Sequence, residues 1–220
     1  MSAAQAEFWS KVARRYDRVV DLQIGGRTRA MVRERVEREE RCGRLVELGC
    51  GTGFFTRALA ERADHVVATD LSPAMLAIAQ GRVAAPNLRF QTENCQRTSF
   101  RDCSFDAAFL SLVLHFTDPA RTLAEMRRVL KLFGTLIIAN PDREEFNRID
   151  RFRSSVRIVY HGVTGYRVKP PKQFAANVGG ARLARLLDEH GFAVTHAESV
   201  RDASRSSNVP IQYVRAVRVK

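Results

Sequence analysis

Glycines at positions 49, 51 and 53, followed by an aspartate at position 70, are the residues of this chain whose types and spacing carry chemistry. In Leu45-Val46-Glu47-Leu48-Gly49-Cys50-Gly51-Thr52-Gly53 a short apolar run stops abruptly in alternating glycines, where the missing Cβ lets backbone come close to a ligand. A second run, His65-Val66-Val67-Ala68-Thr69-Asp70, ends in a carboxylate 21 residues after Gly49. That is the separation at which a βαβ unit delivers an acid to a ribose diol. A carboxylate accepts hydrogen bonds from both hydroxyls and repels a 2′-phosphate, so the pattern argues for an unphosphorylated adenosine ligand. The dinucleotide fingerprint G-x-G-x-x-G is not met, because Phe54 stands where its third glycine would fall.

The elements that must position these residues are legible in order. Residues 45–48 read as a buried strand, 54–62 as a helix with Phe55 and Leu59 inward, and 65–70 as a second strand. Ser72-Pro73 is a helix start, a hydroxyl cap followed by a residue that needs no amide hydrogen, with Met75, Leu76, Ile78, Ala79 and Val83 on the inner face. Residues 87–92 give a third strand and 105–112 a fourth. Its carboxyl end, Ser111-Leu112-Val113-Leu114-His115, lies where open α/β sheets bind ligands. Asp118-Pro119 opens the next helix, residues 135–140 form a fifth strand, and Lys131-Leu132-Phe133-Gly134 turns between them. A helix carrying Leu183, Leu186 and Leu187 stops at Gly191, and residues 192–197 and 211–219 close the sheet as a late pair. Upstream, residues 5–22 read as one amphipathic helix with Phe8, Val12, Tyr16 and Val19 on a stripe. Residues 27–41 read as a charged helix with Ala30, Met31 and Val36 inward.

Three ordered motifs, Glu47 to Gly53, Ala68 to Leu76 and Leu130 to Leu136, closely resemble the class I S-adenosylmethionine-dependent methyltransferases, in particular the small-molecule branch that includes the ubiquinone and menaquinone biosynthesis enzymes. The resemblance spans about residues 16–140. It implies a doubly wound, Rossmann-like α/β fold: a seven-stranded, mostly parallel sheet with an antiparallel late strand and helices on both faces. It also implies S-adenosyl-L-methionine as cofactor and S-adenosyl-L-homocysteine as product. Carried over residue by residue, Gly49, Cys50, Gly51 and Gly53 cradle the methionyl and ribose part, Glu47 holds the ammonium side, and Asp70 clamps the ribose. Leu71, Met75 and Leu112 brush the adenosine. Asn94 and the Cys95 amide meet the adenine edge where relatives usually have Gly-Asp-Ala. Phe8-Trp9 with Ala13-Arg14-Arg15-Tyr16-Asp17 resembles the segment that folds over the cofactor, with Tyr16 in contact. For an acceptor hydroxyl or thiol, His115 is the first candidate base and Tyr160 or His161 the second.

With 220 residues and 45% apolar content, one methyltransferase domain is expected. Within it, 1–44 forms an N-terminal helical cover, 45–142 the cofactor core, 143–180 an acceptor-side insertion, and 181–220 a helix and closing strands. No apolar run is long enough to span a bilayer and residues 1–10 lack a signal pattern, so a cytoplasmic protein is expected. The four cysteines form no C-x-x-C pair and no zinc-like group, which reads as free thiols without a metal. The net charge of +12 lies outside the core. Residues 45–142 hold ten basic and ten acidic residues, whereas 11–44 hold eleven against six and 143–172 eight against three. Those flanks suit an anionic small-molecule acceptor, an acidic partner surface or simply a solvated basic face.

Two other functions fit the same residues. Arg151, Phe152, Arg153, Arg157 and Tyr160 place arginine beside aromatics, as an RNA or protein methyltransferase would use them, although no nucleic-acid module is appended. A non-catalytic adenosine-binding subunit would also keep the glycine turn and Asp70. Oligomeric state is not encoded in any motif found.

Overall fold

The computed structural model describes residues 3–142, 178–204 and 209–220. A seven-stranded sheet in the order β3-β2-β1-β4-β5-β7-β6 forms its centre. The strands are β1 (Cys42–Leu48), β2 (Ala63–Asp70), β3 (Leu88–Thr92), β4 (Phe105–Ser111), β5 (Leu130–Pro141), β6 (Phe192–Val200) and β7 (Ile211–Arg218). β1 to β5 pair in parallel, and β7 runs antiparallel to both β5 and β6. Among the described residues the helices are α1 (Ala3–Val12), α2 (Tyr16–Gln23), α3 (Gly26–Val36), α4 (Thr56–Ala60), α5 (Pro73–Arg82), α6 (Pro119–Val129) and α7 (Gly180–Glu189).

Strand alternation sorts the core into two layers. Val46, Leu48, Ala108, Leu110, Leu136 and Ile138 face α6 and α7, meeting Leu123, Met126, Leu183 and Leu187. The intervening Leu45, Ala107, Phe109, Ile137 and Ala139 face α3 and α4, meeting Val32, Val36, Phe55 and Leu59. Both faces are therefore apolar, as a parallel sheet between helix layers requires. Strand order reverses at β1, with β2 on one side and β4 on the other, so the connections leave β1 and β4 in opposite directions and open a crevice above their carboxyl ends.

Two helix starts follow their sequence signals closely. The Ser72 hydroxyl accepts from the Met75 amide at 3.3 Å, and the Asp118 carboxylate accepts from the Arg121 amide at 3.2 Å. Elsewhere local geometry departs from the periodicity. The helix expected over residues 5–22 is broken by a 3-10 turn at Ala13–Arg15; Phe8, Val12 and Tyr16 of the expected stripe still pack together, but the phase shifts beyond the turn so that Val20 is buried rather than Val19. The next helix ends at Val36 and turns Thr28, Arg29, Val32 and Val36 inward, leaving Ala30 and Met31 half-buried. α4 is only Thr56–Ala60, because Phe54 and Phe55 still belong to the glycine turn. The turn expected at Lys131-Leu132-Phe133-Gly134 runs into β5 instead. There Phe133, 72% exposed, takes the left-handed backbone (φ +64°), and Gly134 lies where a Cβ would come 2.9 Å from the Lys131 carbonyl. Gly191 does adopt the left-handed conformation (φ +78°) after α7.

A cleft over the carboxyl ends of β1, β2 and β4

The glycine turn forms the floor. Gly49 has φ +69°, and a Cβ there would sit 2.5 Å from a Val113 methyl. A Cβ on Gly51 would press to 3.3 Å from the Tyr16 ring, so the absent side chain is what lets the cover descend onto the turn. From the end of β2, Asp70 reaches back over the turn. Its Oδ2 accepts from the Gly51 amide at 2.9 Å and its Oδ1 from the Ser72 amide at 2.8 Å. Burial raises its pKa, and these amides work in the opposite direction by binding the charged form. A carboxylate has roughly four acceptor positions, so capacity remains on the cleft side.

The cleft is open to solvent at its mouth, and with that solvent included its free space is about 520 Å3. Gly49, Gly51, Asp70, Leu71 and Met75 line one side, and Ser111, Leu112 and Val113 the other. Leu112 holds φ +58°, a strained conformation for a branched side chain, at the point where β4 leaves the sheet. Glu93 and Cys95 form one end, and Trp9, Tyr16, Phe116 and Thr117 close over the opening. The rings of Trp9 and Phe116 meet edge to face at 4.8 Å, and Trp9 and Tyr16 at 6.0 Å. Burial pushes the Tyr16 hydroxyl up to about 12 and the Cys95 thiol up to about 12, so both are protonated at neutral pH.

Asp17 fastens the cover. One oxygen accepts from the Thr52 hydroxyl at 2.8 Å and from Arg29 at 3.2 Å, and the other from Arg82 on α5. Burial opposes its ionisation, but Arg82, Thr52 and Arg29 bring its pKa below the ordinary carboxylate value. Arg29 is itself buried, pairs with Asp21 at 2.7 Å and stacks on Phe54 at 3.9 Å. The Ser10 and Ser72 hydroxyls make a second tie at 2.9 Å.

Of the residues expected to hold the cofactor, Tyr16, Gly49, Gly51, Asp70, Leu71, Met75, Cys95 and Leu112 line this cleft. The other four do not. Glu47 falls on the α3/α4 side of β1 by strand alternation. There it is 2% exposed, accepts from the Thr56 hydroxyl at 2.6 Å, and is pushed up to about 8 by burial, with Asp70 adding to the rise. The Cys50 side chain packs with Ala68, Leu76 and Ala79. Gly53 lies against α5, where a Cβ would come 3.1 Å from Ala79 Cβ. Asn94 turns its carbonyl oxygen to the Gln96 amide at 3.0 Å in a local turn, and Glu93 lines the cleft instead.

His115 stands beside the cleft wall rather than in it. Its ring packs on Phe116 with centroids 3.8 Å apart, and its Nδ1 meets Asn140 Oδ1 at 3.1 Å. Tyr160, His161 and the aromatic–arginine cluster lie outside the described residues. Phe116 and Thr117 line the cleft without having been revealed by periodicity, because a 3-10 turn at Leu114–Phe116 sets their directions, and Asn140 of β5 stands behind them as the partner of His115. Among the described residues no Lys, Arg or His lines the cleft, no group of His, Cys, Asp or Glu has metal-binding geometry, and no helix is long and apolar enough to cross a membrane.

Comparison with known proteins agrees with this geometry. A family model described as a methyltransferase domain matches residues 46–138. A demethylmenaquinone methyltransferase of Deinococcus radiodurans is 35% identical over 206 residues, covering 86% of this chain and 85% of that protein. A malonyl-[acyl-carrier protein] O-methyltransferase of Serratia marcescens is 32% identical over 139 residues, covering 62% of this chain. The chain thus spans about half (52%) of that relative's length. Among solved structures, the methyltransferase bound to the Trm112 activator of Haloferax volcanii superposes with a TM-score of 0.74 at 17% identity, covering 96% of this chain and 98% of that one. The cleft at the strand-order reversal, its glycine floor and its buried acid therefore have a family: the chain belongs to the class I S-adenosylmethionine-dependent methyltransferases.

Proposed function

We propose that this chain methylates a small, neutral acceptor built on a planar apolar ring, using S-adenosylmethionine as donor. The observation that carries the acceptor class is the cleft mouth. Trp9, Tyr16 and Phe116 line the cleft together with Leu112 and Val113, and no cation stands among the described lining residues. Such a wall suits a ring better than an anion, which would lose hydration against it. The name of the Deinococcus radiodurans relative points to the same chemistry, since it acts on demethylmenaquinone.

The residues fit the donor. Asp70 is held ready by the Gly51 and Ser72 amides to accept from two vicinal hydroxyls, and Leu71 and Met75 offer apolar surface beside it. The Gly49–Gly51 floor leaves room that a Cβ would take. When bound, the donor supplies a methyl group on a positively charged sulfur, so the protein's task is to align the acceptor and exclude water. The aromatic cover, latched by Asp17, does the excluding. His115, packed on the cleft-lining Phe116, is our candidate to take a proton from an acceptor hydroxyl.

The test is calorimetry with S-adenosylmethionine and S-adenosylhomocysteine, followed by transfer of labelled methyl to a short-chain demethylated naphthoquinol or to a malonyl thioester. Micromolar donor binding with label in the quinol is expected. No donor binding would overturn the whole reading, and label only in the thioester would overturn the neutral-ring acceptor. The RNA reading rests on arginines outside the described residues. No described feature of the cleft favours it over a small molecule.

A further inference from the structure

β6 takes no part in the cleft and forms one edge of the sheet, with no strand beyond it among the described residues. It is nine residues long, against five for β3 at the opposite edge. Ala193, Val194, Thr195, His196, Ala197 and Ser199 are all exposed along it. Proline and lysine, which commonly blunt such an edge, are both missing from the strand. A bulge between Val194 and His196 is what interrupts it, leaving His196–Val200 as the regular stretch.

Beside β6 lies a groove lined by Arg35, Arg38 and Arg215 together with Glu39, Glu40 and Glu198, so the two signs are balanced. Arg35 holds Glu198 through bonds of 3.1 and 3.0 Å. Arg215 is less well served. Its contacts to Glu39 and Glu40 are 3.7 and 3.6 Å long, and its buried Nε has no hydrogen-bond partner. A partner surface of a single sign would be repelled by half of these side chains, whereas a twofold copy of the groove offers each cation an acid of the other molecule.

We propose that two copies of this chain pair antiparallel through β6 about a twofold axis at Ala197. Register decides the centre. An axis at Glu198 would set that carboxylate against its own copy, and an axis at His196 would set two imidazoles together. An axis at Ala197 sets His196 opposite Glu198 twice. His196 Nε2 already lies 3.4 Å from Glu198 within one chain. The carboxylate, with roughly four acceptor positions, has capacity for a further imidazole donor from the second copy. At the axis alanine meets alanine, which leaves the backbones free to approach. The ladder runs as far as Thr195 opposite Ser199 and stops at the bulge, so the groove walls supply the rest of the contact. Strand directions reverse across the axis while the α3 layers stay on one side. Both clefts therefore remain open, at opposite edges of a sheet twice as wide.

The test is sedimentation velocity on the full chain from about 1 to 200 μM, the range in which small, polar interfaces associate. Wild type should pass from monomer to dimer across it. Ala197→Lys and Ala197→Glu each set like charges together at the axis, so each alone should weaken the dimer roughly tenfold or more. Mixed in equal parts, the two variants should restore a dimer that holds one copy of each. Both should keep the circular dichroism spectrum of wild type, because Ala197 is exposed. A wild type that stays monomeric throughout, a dimer unchanged in both variants, or a mixture that stays monomeric overturns the proposal. If neither variant folds, hydrogen exchange of wild type decides. Those amides of residues 195–199 that exchange fast in dilute protein should slow in concentrated protein, and equal rates at both concentrations overturn the pairing.

Discussion

Two carboxyls close together in the chain, Glu47 and Asp70, are both buried yet do opposite work. Asp70 is met by backbone amides and turned to the cleft, whereas Glu47 has the Thr56 hydroxyl and apolar surroundings. The folded protein holds the Glu47 proton up to a pH of about 8, whereas the unfolded chain releases it near 4.5, the ordinary value for a glutamate. Over that interval the native state binds more protons than the unfolded state, so stability falls as pH rises from the ordinary carboxylate range through about 8. Gln at this position can still accept from Thr56 and never ionises. Glu47→Gln should therefore match wild type in Tm near about pH 5 and exceed it near about pH 9, by an amount corresponding to a few kcal/mol at most. Denaturation scans across pH check this, and parallel curves for the two proteins would show that Glu47 is not the titrating group.

At the scale of elements, α5 and the cover hold the site together, and their glycines and charges separate packing from function. Gly53 has φ +84°, and an alanine Cβ there would meet Ala79 Cβ at 3.1 Å and Cα at 3.3 Å. Gly81, in the exposed last turn of the same helix, has nothing within 4 Å of a Cβ. Gly53→Ala should cost roughly 1–3 kcal/mol, and Gly81→Ala should stabilise by up to about 1 kcal/mol; urea unfolding measures both. Asp17→Ala removes acceptors from Thr52, Arg82 and Arg29 at once and leaves Arg29 to Asp21 alone. A loss of roughly 1–3 kcal/mol follows, together with protease cutting near residues 3–23 before the sheet opens. Intact cover fragments at wild-type rates would show that the latch lies elsewhere.

Local signals carried over well at this scale. Ser72-Pro73 and Asp118-Pro119 specify their helix starts through bonds within three residues, and the glycine turn with Asp70 follows from one βαβ unit. What did not carry over was orientation. Nothing near Glu47 in sequence says which side of β1 it faces; that depends on the register of β1 against β2 and β4. Asn94 could accept from a ligand or from its own chain, and the Gln96 amide two residues on is the nearer donor. The 3-10 turns at Ala13–Arg15 and Leu114–Phe116 rotate the residues after them, so helical spacing misplaced Val19 relative to Val20 and did not reveal Phe116.

Across the whole molecule, donor binding should tighten cover, turn and sheet as one unit, because the cleft draws its lining from α1, α2, β2, α5 and the ends of β1 and β4. A ligand that binds only the folded state stabilises it by about 2.7 kcal/mol at 100 times its Kd. For a chain of 220 residues that corresponds to a rise in Tm on the order of 5–10 °C. Asp70→Ala should abolish the rise with S-adenosylhomocysteine, since it removes the acceptor at the cleft. Glu47→Gln should keep it in full, because Glu47 is not among the residues that line the cleft. The two substitutions alter buried acids of one βαβ unit, so general damage to that unit would depress both shifts alike. A retained shift in Asp70→Ala, or a lost one in Glu47→Gln, would show that Asp70 is not the acid that holds the donor.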